Sequence, residues 1–187
     1  MMDKKRFLIN GLIACALVLG LVALVPTTPA YADAIITVSG GSLSITPQTI
    51  NFSGVTLTGI DQTSNGTTSA WTASDPTGLG AGYHVTIASS NLVHSVDTAK
   101  TVPVSGFKAT LLDTAVAASG GTTSTKPTSS MTTATTLSTS AQTILSAAAA
   151  TGMGSYSFTP TFTLIVPAAT FAGTYTATVT LAVVSGP

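Results

Sequence analysis

The chain contains no glutamate, its only arginine is Arg6, and its only cysteine is Cys15. Each shortage removes a class of function. Beyond residue 32 the charges are Lys100, Lys108 and Lys126 against Asp33, Asp61, Asp75, Asp97 and Asp113. So few cations cannot neutralise a run of phosphates, which excludes a nucleic-acid partner. Aspartates this far apart in sequence form no carboxylate pair of the glycoside-cleaving kind. With Cys15 inside an apolar N-terminal run, the remainder holds no disulfide, cysteine metal site or thiol nucleophile.

The two histidines add little. His84, His94 and Asp97 lack the spacing of a Ser/His/Asp arrangement, and there is no G-x-S-x-G nucleophile elbow. A metal site built from them would need three ligands to converge. Asp75, in its glycine-rich loop, brings too little charge for a calcium cage and is better explained as a turn residue before Pro76. The expectation is a protein that is not an enzyme, with no catalytic residue, no metal and no cofactor.

What is present begins with an export pattern. Lys4, Lys5 and Arg6 precede an apolar run from Phe7 to Val25, then Pro26, Pro29 and Ala30-Tyr31-Ala32. A basic start, an apolar run and a small-residue A-x-A site mark a secretory signal, cleaved after Ala32. Residues 1–32 are then the signal peptide and 33–187 a single secreted domain, extracellular or associated with the cell wall. The run is also long enough to span a bilayer uncleaved. Leu12-Ile13-Ala14-Cys15 resembles a lipobox, and lipid anchoring at Cys15 is an alternative. Against it, Ala16 to Val25 stay apolar or glycine where a lipoprotein turns polar.

The rest is mostly threonine, serine, glycine and alanine, and its signal is period-two alternation. Apolar residues fall on even positions from Tyr156 to Val166 and on odd positions from Tyr175 to Val183, with threonines between them. Joined through Pro167 and Gly173, the two runs predict a terminal β-hairpin. Tyr83, Val85 and Ile87 alternate with His84, Thr86 and Ala88, which predicts a strand over 82–89. Further strands are expected at Ala34–Val38, around Ile50–Leu57 with a bend at Ser53-Gly54, around Trp71, across Val102–Leu112 and at Thr143–Ser146. Asn65-Gly66 reads as a two-residue hairpin turn. Residues 119–140, low-complexity serine and threonine, are expected as a surface segment, or a weak edge strand around Met131 to Leu137. The sum is an all-β chain, an antiparallel β-sandwich of about eight or nine short strands.

Three segments carry a family resemblance. They are Trp71-Thr72-Ala73 with Gly82-Tyr83-His84-Val85-Thr86-Ile87; Gly152-Met153-Gly154-Ser155-Tyr156; and Val166-Pro167 with Ala172-Gly173-Thr174-Tyr175, running to Ser185-Gly186-Pro187. Together they resemble the WxL-domain surface proteins of Gram-positive and related bacteria. The two Trp-x-Leu motifs that name that family read Trp71-x-Ala73 and Leu181-x-Val183 here, so the distal tryptophan is absent. The resemblance implies a secreted β-sandwich held non-covalently to the wall, with peptidoglycan or other surface proteins as partners.

Two functional expectations follow. In the first, Trp71 and Tyr83 offer a stacking surface for wall sugars beside the Asp75–Gly82 loop; in the bland alternative both rings are core. In the second, the protein is a self-assembling fibre or coat subunit. Low charge leaves sheet edges poorly protected. The short apolar stretch Ala34, Ile35, Ile36, Thr37 and Val38, just after the cleavage site, is then a strand that adds to a neighbour's sheet.

Overall fold

Proline and small polar residues divide this chain into many short strands, and they do so at matching levels. The computed structural model describes residues 34–187. Ala30, Ala32 and Cys15 lie outside the described residues. Within the unit Val38–Pro187, the first strands are β1 (Ser44–Thr46), β2 (Ile50–Phe52), β3 (Gln62–Thr68), β4 (Trp71–Asp75), β5 (Tyr83–Ser89) and β6 (Leu92–His94). Then come β7 (Thr101–Val102), β8 (Phe107–Thr110), β9 (Val116–Ser119), β10 (Thr128–Ser129) and β11 (Thr135–Thr136). The last are β12 (Gln142–Ala147), β13 (Gly154–Phe158), β14 (Thr161–Val166), β15 (Tyr175–Thr176) and β16 (Val179–Ser185).

All pairings among the described strands are antiparallel. The first layer is one long sheet broken across its middle. Above the break the order is β1-β4-β13-β9; below it the same chain segments continue as β2-β3-β14-β8, with β11 added outside β8. Pro47 and Pro160 sit at the break, where a residue without an N–H cannot continue a ladder. The second layer is β10-β12-β5-β16, continued by β7-β6-β15. One cluster of buried side chains, drawn from both layers, fills the space between them. The all-β, antiparallel sandwich expected from alternation is what the chain forms, in sixteen short strands among the described residues where about eight or nine were expected, because the layers break and each long run is divided.

A run of rings, edge-to-face except for the tilted Trp71–Phe162 pair, makes the centre. Phe52 meets Phe107 at 5.3 Å between centroids, Phe107 meets Phe162 at 5.8 Å, and Trp71 lies 5.8 Å from both Phe162 and Phe158. Gly66 on β3 leaves the gap those rings need. A Cβ there would come within 2.8 Å of the Phe52 ring and 3.0 Å of Phe162 Cβ. The glycine of Asn65-Gly66 therefore serves packing inside a strand; the expected hairpin turn is not formed, and both residues pair with β14.

Three other expectations need correction. The even positions from Tyr156 to Val166 do share one buried face, but they are two strands, and β14 does not form a hairpin with the C-terminal run. β14 lies between β3 and β8 in the first layer, whereas β16 pairs with β5 in the second. Alternation reports which face is buried and says nothing about the neighbour. Ala34–Val38 is not a strand: the residues from 34 to 43 carry no regular structure, and Ile35, Ile36 and Val38 are exposed. The surface reading of residues 119–140 fails because Met131 and Leu137 are buried, whereas the edge-strand reading holds, with β11 pairing beside β8 at the sheet's edge.

Candidate functional site

Trp71 and Tyr83 head β4 and β5, and the inward parity of both strands buries them. The Trp71 indole N–H donates to Gln48 O at 3.1 Å and to Thr68 Oγ1 at 2.9 Å, satisfying groups left free where the first layer breaks. Tyr83 is covered by Gly152, whose φ of +73 holds the backbone against the ring; a Cβ there would stand 2.9 Å from Tyr83 Cε1. The Tyr83 hydroxyl has no hydrogen-bond partner among the described residues. Burial first, then the nearby Tyr156 and Asp75, push it well above the ordinary tyrosine range. Neither ring offers a face to a sugar, so the stacking surface drawn from the sequence is replaced by core packing.

The polar candidates are each engaged in local contacts. Asp75 Oδ1 accepts from the Thr77 N–H at 3.1 Å and its hydroxyl at 2.6 Å, the turn chemistry expected at Asp75-Pro76. His94 Nδ1 accepts from the Val96 and Asp97 N–H groups at 3.1 and 3.0 Å, and its ring meets Tyr175 edge-on at 5.1 Å. His84 Nδ1 lies 3.0 Å from Gly186 O. Asp97 is paired with Lys100 at 3.2 Å, and the Lys100 hydrogen bond holds its carboxyl below the usual range. Among the described residues no group of three His, Cys, Asp or Glu side chains gathers to hold a metal.

The feature without a structural explanation is one flank of the sandwich. In the first layer β1 and β2 form an edge, and in the second β16 and β15 do, with no further strand beside either among the described residues. At the Asp75 end β1 draws close to β16, and below it the two edges border one opening. At its middle a hollow of about 370 Å³ lies among Ile50, Trp71, Val179 and Leu181. At one end it widens to about 650 Å³ between Phe52–Leu57 and Thr170–Tyr175. Its floor includes the three core side chains with most residual exposure, Val166 at 8%, Leu92 at 5% and Leu164 at 5%.

Register shows what the β16 edge presents. Ser90 N–H donates to Thr178 O at 3.0 Å and Gly186 N–H to Gly82 O at 2.9 Å, and between them the pairing runs without a shift. Even-numbered residues therefore bond to β5, and the N–H and C=O groups of Val179, Leu181 and Val183 point to the open side. Ser95 N–H donates to Thr174 O at 2.8 Å, which extends the same parity to Tyr175 on β15. The side chains of these residues are half-buried against the core.

The opposite flank is closed. The Ser/Thr-rich segment passes from β10 in the second layer to β11 in the first. Met131 O accepts from Leu111 N–H, and Leu137 N–H donates to Phe107 O, both at 2.8 Å. A sequence signal for the open flank was available: no Asp, Lys or Arg occurs between Asp33 and Asp61 or after Lys126. All four strands that border the opening lie in those charge-free stretches, where a protected edge would carry lysine or another charge, although β10 and β11 of the closed flank lie there too. Compared with models of protein families and with curated proteins, the chain matches none.

Proposed function

We propose that this is a non-enzymatic, exported cell-surface protein whose copies assemble into a fibre or coat, the N-terminal strand of one completing the sheet of the next. The observation that carries the reading is the open flank: two adjacent edge strands, apolar inward side chains and unused backbone hydrogen-bonding groups. Such an edge is a template for strand addition. Supporting it, Ile35, Ile36 and Val38 are exposed apolar residues in a stretch with no ladder of its own. Export rests on the Ala30 and Ala32 cleavage pattern.

The test is high-speed sedimentation of the exported protein, with and without purified cell walls, followed by electron microscopy. Pelleting alone, with filaments or sheets, is the expected result, and deletion of residues 33–39 abolishes it. Pelleting only with walls would replace this reading with the peptidoglycan association implied by the WxL resemblance. Remaining in the supernatant both times would overturn self-assembly.

A further inference from the structure

Resting on that reading, we infer that a second copy's Ala34–Val38 docks along the free edge of β16 in one register parity, with Ala34, Ile36 and Val38 facing into the opening and Ile35 and Thr37 facing out. Successive side chains of a strand point to opposite faces, so only two parities exist. One turns inward three apolar side chains. The other turns inward Ile35 with Thr37, placing a hydroxyl in the apolar hollow among Ile50, Val179 and Leu181. The outward pattern agrees with the rest of the molecule, where Thr161 and Thr163 on β14 alternate with buried Phe162 and Leu164.

The lengths match. Five extended residues span about 17 Å, the same for Ala34–Val38 as for Val179–Val183. The free N–H and C=O groups of Val179, Leu181 and Val183 give the incoming strand a ladder, and the hollow among Ile50, Val179 and Leu181 receives its inward side chains. The occupant is a second copy because Gly41 N–H donates to Pro76 O, which brings the chain into β1 at the Asp75 end of the first layer and not along β16, and its own Val38 is 84% exposed.

Single aspartate substitutions read the parity directly. Ile36→Asp and Val38→Asp in the exported protein should abolish pelleting, whereas Ile35→Asp and Thr37→Asp should leave it intact. Equal damage from both pairs, or the reverse order, overturns this register while the 33–39 deletion still decides the assembly reading by itself. The acceptor edge is read by proline. Leu181→Pro removes an N–H that β5 does not use and should block assembly while lowering the monomer's melting temperature little more than Leu181→Ala does. Ala182→Pro removes one that β5 does use and should lower melting strongly. Hydrogen exchange is the independent readout. The amides of Val179, Leu181 and Val183 should exchange slowly in the polymer and quickly in the deletion variant. Slow exchange in the deletion variant, or in a wild-type species that sediments as a monomer, would overturn docking from a second copy.

Discussion

The two flanks of this sandwich are built from similar uncharged, threonine-rich sequence, yet one is closed and the other is not. On the closed side the chain itself passes between the layers, and Met131 and Leu137 plug the gap as it goes. On the open side the first layer ends at β1–β2 and the second at β15–β16, and their inward side chains stay half-buried. A run of small polar residues is therefore no guide to exposure. What matters is whether a large apolar residue falls where the two layers leave room for it. Met131 and Leu137 do, and the backbone bonds at Leu111 and Phe107 hold them there.

Substitutions on each flank test this contrast. Leu137→Ala on the closed flank should cost about 3 kcal/mol, the price of a cavity in a fully buried site, measured by urea unfolding. Gly66→Val carries the test toward the open edge. The added side chain must displace the Phe52 ring of β2, which should cost about 2 kcal/mol and loosen that edge in hydrogen exchange. Leu181→Ala on the open flank should cost only about 1 kcal/mol in the monomer, because the side chain is only partly buried. A loss at Leu181 as large as at Leu137 would mean that the open flank is closed in solution.

Tyr83 is a control remote from the contrast. Its hydroxyl is buried without a partner, so Tyr83→Phe should change stability at neutral pH by less than about 0.5 kcal/mol, or raise it. Its raised pKa has a definite sign. The folded state keeps the proton longer than the unfolded chain, so stability is full below the ordinary tyrosine pKa and falls as pH rises above it. Tyr83→Phe should reduce that alkaline loss in thermal melts taken across the range. The smallest effect is at the mouth of the opening, where Lys100 pairs with Asp97 and also lies 3.9 Å above the Phe171 ring. Asp97 is held below its usual pKa, so its contribution is present above the ordinary carboxylate range and is lost as pH falls through the lowered value. Both groups are solvent-exposed, and acid should loosen residues 97–101 in hydrogen exchange without touching the closed flank.

The inward faces were legible: the even positions from Tyr156 to Val166 and the odd positions from Tyr83 to Ile87 are buried as their alternation predicts. The strand at Thr143–Ser146 was legible too, within β12. Pairing was not, because β14 and β16 are near in sequence but in different layers, and nothing local distinguishes a hairpin from a crossover. Asn65-Gly66 misled for a related reason. Glycine suits a tight turn, but it equally suits a strand that two phenyl rings must approach. Trp71 and Tyr83 could be core or surface on the sequence alone, and the inward parity of β4 and β5 decided it. The open flank left a faint trace, the absence of charge from 34–60 and from 127 onward, whose meaning depends on knowing which strands are edges.

An all-β chain and the buried face of its clearest strands were already readable in the sequence. Those properties follow from composition and from a two-residue period, both local. The tertiary structure alone decided which strands are neighbours, which flank the Ser/Thr segment closes and which edge keeps its hydrogen-bonding groups free. Such matters depend on contacts between residues far apart in the chain, where each choice of partner leaves a different strand without one.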